Sequence, residues 1–220
     1  MHPRNAILCS LLVSSFFGMS AQEPNLPSAQ PVNVLTYHYD NQRTGLTRLE
    51  TILTPANVNS NGFGKVNSLS TDGKVDGEPL YASNVVINNQ NHNVIYAVTE
   101  HDSIYAFDAD NGTLLWQKTA LLQGESPSDD HGCSQISPEI GITNTPMIDR
   151  TTRPHGAIYF VAMSKDNNNN YHQRLYAFDL STGSELFGGP VEIQAKYPGT
   201  GTTVTTNFSG VIVRAMGTFS

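Results

Sequence analysis

The chain has 220 residues, with 12 Lys and Arg against 19 Asp and Glu and a net charge of −7 when His is neutral. So acidic a balance leaves no basic surface on which to hold a phosphate backbone, which excludes nucleic acid as a partner. Only 14% of residues are charged while Gly alone numbers 18, a composition that fits a β-rich extracytoplasmic protein.

Residues 1–21 have the form of a secretory signal peptide: Arg4, an apolar run from Ala6 to Phe17, then the small residues Gly18, Ser20 and Ala21. Twelve apolar residues fall short of the roughly 20 that cross a bilayer as a helix, so no membrane span is expected. The expectation is an exported protein, periplasmic or extracellular. Cleavage there removes Cys9 and leaves Cys133 alone, so no internal disulfide staples the fold.

A lead-in with short strands occupies residues 22–77. From 78 to 118 four β-prone runs, EPLYASNVVI, VIYAVT, IYAFD and TLLWQK, alternate with clusters of Asn, Asp, Gly and Ser, as expected for strands joined by tight turns. Large and small residues alternate within VIYAVT and IYAFD, which predicts strands buried on both faces. No window predicts a helix. Residues 119–145 form an expected interblade loop. The order then returns over 146–193 as TPMID, AIYFVAMS, KDNNNNYHQ, RLYAFD, SELFGG and PVEI.

The repeat is most exact where YAFDADNGTLLW, from Tyr105 to Trp116, is echoed by YAFDLSTGSELF, from Tyr176 to Phe187. A repeat of this kind is one supersecondary unit written twice. Its residues have mechanical roles: Ala106 and Ala177 allow close sheet packing, Asp108 and Asp179 accept hydrogen bonds from the following turn, and Gly112 and Gly183 supply a positive φ. Trp116 and Phe187 then fill the gap against the next unit. All eight are expected to be structural rather than catalytic.

The pattern Ala106-x-Asp108-x-x-x-Gly112-x-x-x-Trp116, matched at Ala177, Asp179, Gly183 and Phe187, resembles the tryptophan-docking motif of the pyrroloquinoline quinone (PQQ) repeat β-propellers, and the lead-in DNQRTGLTRLETILTPANV resembles the segment before their first blade. The resemblance implies an all-β propeller fragment of four-stranded antiparallel blades. Two blades fall short of the roughly seven or eight that close such a ring, so an incomplete propeller is expected, with 194–220 as a truncated or degenerate tail. The family holds both quinoprotein dehydrogenases, which use PQQ and Ca²⁺ to oxidise alcohols or sugars, and propellers that bind no quinone. The dehydrogenases' adjacent-cysteine ring is not matched, since Ser134 follows Cys133.

For a cofactor or ligand contact the loop candidates are Cys133, Glu139, Asn144 and Thr145. Asp129, Asp130, His131 and Cys133 are metal-ligand types, but a single His-x-Cys lacks the paired spacing of a zinc site, and the segment reads as an exposed loop. The leading expectation is a binding or scaffold propeller with a protein or small-molecule ligand on its face. Its rival is the N-terminal part of a PQQ- and calcium-dependent dehydrogenase.

Overall fold

The computed structural model describes residues 32–47, 50, 52–132 and 134–194. The signal-peptide segment, Cys133 and the tail beyond 194 lie outside the described residues. What is described is all-β, without a helix.

The first repeat folds as a four-stranded antiparallel meander, β1 (Leu80–Ile87), β2 (Gln90–Val98), β3 (Ser103–Asp108) and β4 (Leu114–Thr119). Its turns follow from side-chain chemistry. Asp108 Oδ1 accepts hydrogen bonds from the amides of Asp110 and Asn111 at 2.9 and 3.1 Å, and Gly112 has φ +78°. The second repeat copies this turn: Asp179 Oδ1 accepts from Ser181 and Thr182, each at 2.9 Å, and Gly183 has φ +63°. All six residues of β3 are buried.

The second sheet has the order β10 (Val191–Glu192), β9 (Tyr171–Asp179), β8 (Ala157–Asp166), β5 (Glu125–Asp129) and β6 (Glu139–Ile140), with β7 (Met147–Asp149) also on β8. Two departures from the sequence expectation meet here. The segment 119–145, expected as a loop, contributes β5 and β6. The reason lies in the KDNNNNYHQ insertion, which lengthens the β8–β9 hairpin so that Ser164, Lys165 and Asp166 offer a free edge to β5. Conversely, SELFGG forms no fourth strand. It keeps one bridge, Phe178 to Glu185, and a hydrogen bond from Leu186 N–H to the Ala177 carbonyl. Phe187 then turns off at φ +59° and stands 74% exposed, so it fills no gap.

The sheets face each other across one apolar core. Cross-strand partners share a face, so Leu80, Tyr96 and Ala106 point one way from the first sheet, towards Ile158, Phe160, Tyr176 and Phe178 of the second. Trp116 fastens this interface. Its indole N–H donates to the Leu180 carbonyl at 3.1 Å, and the Tyr96 hydroxyl donates to the same oxygen at 2.9 Å. A Cβ on Gly183 would stand 2.8 Å from Trp116 Cε3, so the ring lies directly on the glycine backbone. At the matching place in the first repeat, Gly112 is covered by Asn67 and Leu69 of the lead-in, whose side chains would be 3.3 Å from a Cβ.

Gly112→Ala and Gly183→Ala therefore share a backbone penalty of about 1 kcal/mol for an L-residue at positive φ, but Gly183→Ala must also displace the partly buried Trp116 indole packed on it. Urea unfolding is expected to show Gly183→Ala less stable by a further 1–2 kcal/mol, roughly. Equal losses at the two sites would contradict the packing described.

Candidate functional site

Two acidic groups raised by burial lie at the turn between β2 and β3, Thr99-Glu100-His101-Asp102. The turn is pinned by its backbone: the amide of Ile142 donates to the Thr99 carbonyl at 3.1 Å, that of Ala120 to the Asp102 carbonyl at 2.8 Å, and that of Glu100 to the Lys74 carbonyl at 2.9 Å. Asp102 itself takes φ +56°, a conformation Asp tolerates better than most residues. Gly141 packs so closely that a Cβ there would sit 2.8 Å from both Asp102 N and Asp102 Oδ1. The strand that carries Glu139 is thus held against the turn.

Asp102 is completely buried, and neither carboxyl oxygen has a hydrogen-bond partner. Burial pushes its carboxyl up to about 9, with Glu139 and Glu125 adding repulsion and Arg174 opposing it. Glu100 is raised as well, first by burial and then by a hydrogen bond shared with Asp76, against the pull of Lys74 at 3.7 Å. Nearer the surface, His101 Nδ1 meets Glu139 Oε1 at 2.8 Å. Gln173 on β9 is also completely buried with both amide atoms unpartnered. Asp102 thus keeps its proton at neutral pH. The interior has no open path to a substrate at Asp102, whose side chain solvent does not touch.

A second polar group is fully satisfied. Arg174 forks onto Glu125, Nη1 to Oε2 and Nη2 to Oε1 both at 2.9 Å, while its Nε donates to Glu192 at 2.7 Å. Burial works to raise Glu125, yet the hydrogen bonds from Arg174 and Ser164 hold it below the usual range. These contacts tie β5, β9 and β10 together.

The residues singled out from sequence are not brought together as one site. Asn144 closes a two-point clamp on β8, its Nδ2 donating to the Val161 carbonyl at 2.5 Å and its Oδ1 accepting from the Val161 amide at 3.3 Å. Thr145 Oγ1 accepts from the Glu78 amide at 2.9 Å. Both line a cleft of about 610 Å³ with Tyr37, Arg43, Met147 and Leu175, whereas Glu139 lies with His101 at the buried turn. Asp129 is engaged by Lys165 at 2.7 Å and by the Tyr171 hydroxyl at 2.8 Å, which hold it down at about 2. Asp130 Oδ1 accepts from the Gly132 amide and His131 Nε2 lies 3.1 Å from Ser128 Oγ. Among the described residues no three His, Cys, Asp or Glu side chains converge as a metal site. Asn144 is thus engaged by the β8 backbone and Thr145 by the Glu78 amide, so both side chains hold chain segments together.

A smaller cleft of about 370 Å³ beside the repeat interface is lined by Trp116, His155, Ser181 and Thr182. His155 Nδ1 approaches Asp179 Oδ2 at 2.9 Å, so this wall belongs to the repeat turn. Sequence reasoning passed over Asp102, Gln173 and the Arg174–Glu125 pair. The one available signal was the run Glu100-His101-Asp102 set between two apolar strands, a charged turn where neutral turn residues would suffice. No helix among the described residues is long and apolar enough to cross a membrane. Comparison with protein-family models, curated proteins and solved structures finds no match.

The Asp102 carboxyl keeps its proton in the folded chain where the unfolded chain, near its ordinary 3.8, has lost it. Its contribution to stability is therefore whole below about pH 4 and is lost as pH rises towards 9. Asp102→Asn, which needs no ionisation, is expected to raise stability at pH 8 by on the order of 3 kcal/mol. Urea midpoints across pH 4–9 check it: the gain must shrink towards zero at pH 4, and a pH-independent difference would refute it.

Proposed function

We propose that the chain is an exported binding or scaffold module built from propeller-blade repeats of the PQQ-repeat type. The observation that carries this reading is the seat of Trp116 on Gly183, with its N–H on the Leu180 carbonyl. The indole of one repeat is thereby fixed to the Asp-x-x-x-Gly turn of the next, which is the docking role that the resemblance implies. The chemistry-bearing side chains support the same reading. Asn144, Thr145 and Asp129 hold strands and loops in place, and Asp102 is closed off from solvent. Repeats fastened in this way present edges and faces to a partner, which is how repeat proteins bind.

Addition of PQQ and Ca²⁺ to the purified protein, followed by dye-reduction assays over a panel of alcohols and sugars, is expected to give no substrate-dependent rate above that of PQQ and Ca²⁺ without protein. Turnover would replace this reading with the quinoprotein dehydrogenase.

A further inference from the structure

The extended β8–β9 hairpin carries a histidine, His172, set among more carboxylates than cations. Alternation along β9 puts it on the same face as Arg174 and Tyr176, opposite Ser164 of β8. Carboxylates from three other strands face its ring on both sides. Glu192 Oε1 of β10 lies 3.3 Å from Nδ1, while Nε2 lies 3.7 Å from Asp166 Oδ2 at the end of β8 and 4.0 Å from Glu125 Oε1 of β5. The cation beside them, Arg174, is already shared between Glu125 and Glu192. The His172 side chain is 25% exposed, so protons reach it from solvent.

A carboxylate only accepts hydrogen bonds, and a neutral imidazole carries a single N–H. Neutral His172 therefore matches either Glu192 or the Asp166 and Glu125 side, and turns a lone pair towards the other. An imidazolium, with a proton on each nitrogen, matches both. The demand persists through neutral pH, because Asp166 is held down at about 2 by the side chain and amide of Asn170, and Glu125 also stays below the usual range.

What depends on this ring is β10. Its two residues pair with β9 at Leu175 and Arg174, and the Ile193 amide adds one bond to the Gln173 carbonyl at 2.8 Å. So short a strand does not hold its register by backbone bonds alone. Glu192 ties it to the sheet through Arg174 and His172.

We infer that β10 is a proton-operated strap, drawn onto β9 while His172 carries a proton on both ring nitrogens and loosened when it loses one, with Arg174 then left to hold Glu192. The strap is tight on the acid side of the span in which histidine ordinarily changes charge, about pH 5 to 8, and slackens as pH rises through it. Arg174 keeps its charge throughout, so β10 opens more often and does not depart. Each opening uncovers the edge of β9 from Gln173 to Leu175. The inference stands apart from the repeat-module reading and uses none of it.

Hydrogen exchange on the full chain reads the strap directly. With rates corrected for the pH dependence of free amides, protection at Ile193 is expected to fall about fivefold to tenfold from pH 5 to pH 8, the difference between a charge-assisted and a neutral hydrogen bond. The His172 ring signal, identified by its absence in His172→Gln, must titrate over the same interval. His172→Gln, which donates without charge, should bring protection at pH 5 down to the wild-type value at pH 8, whereas His172→Lys should keep it high at both. Wild-type protection that ignores pH, or a pH dependence that survives His172→Gln, would overturn the proposal. So would an equal fall at the amides shared by β2 and β3, which would report loss of the whole fold, as ionisation of Asp102 does, in place of a moving strap. Should His172→Gln fail to fold, Glu192→Gln carries the same test, since it removes the partner and must abolish the pH dependence at Ile193.

Discussion

One carbonyl oxygen, that of Leu180, receives both the Trp116 indole and the Tyr96 hydroxyl from the opposite sheet. A carbonyl has two acceptor sites, and here both are taken by aromatic donors, the buried Tyr96 hydroxyl and the partly buried Trp116 indole. The geometry leaves little slack. Leu180 must be held in place, and it is: its amide donates to Gly156 at 3.3 Å, and its side chain packs so close to Gly156 that a Cβ there would stand 2.7 Å from it. The turn that begins at Asp179 and ends at Gly183 thus matters for what it presents, a carbonyl and a bare glycine backbone, more than for closing a hairpin. The stacking of one sheet on the other depends on this presentation, and so does the burial of Ile104, Ile158 and Phe160 between them.

The buried interior carries a polar load that packing alone would not select. Asp102 and Gln173 are buried without partners, whereas Arg174 and Glu125 are buried with nearly every polar atom matched. These two cases differ in consequence. A matched ion pair holds register while contributing little net stability, but an unmatched carboxyl stays inside only by keeping its proton. Because Asp102 also needs a left-handed backbone, where Asp and Asn are favoured over most residues, the residue type suits the turn. The cost of its burial comes with that choice.

What the sequence made legible follows the range over which the responsible forces act. Turns specified by one side chain and one glycine, at Asp108 to Gly112 and at Asp179 to Gly183, stand where the pattern placed them, and so do β1 to β4, whose alternation is local. Four features depended on contacts distant in sequence and were not legible. The strand β5 exists because β8 extends far enough to offer it an edge. Phe187 fails to match Trp116 because SELFGG leaves the sheet after Leu186, and two glycines at φ +84° and +121° follow it. Asn144 was picked out as a ligand type, but its amide fits the backbone of Val161. Asp102 gave no sign beyond an odd turn, since burial is a property of the neighbours.

The second sheet compensates for its missing fourth strand in a way the first has no need of. The first closes its outer edge with β4, paired to β3 from Ser103 to Phe107. On the second, only the two residues of β10 pair with β9, at Arg174 and Leu175. Arg174 lies at that point and reaches both ways, to Glu192 on β10 and to Glu125 on β5, across the width of the sheet. A two-residue strand has too few backbone hydrogen bonds to hold its register, so a buried guanidinium with a carboxylate on each side supplies the geometric constraint. The extended β8–β9 hairpin makes this possible by bringing β5 within reach of Arg174. The insertion that disturbed the repeat thus also provides the clamp that keeps the second sheet in order where it departs from the first.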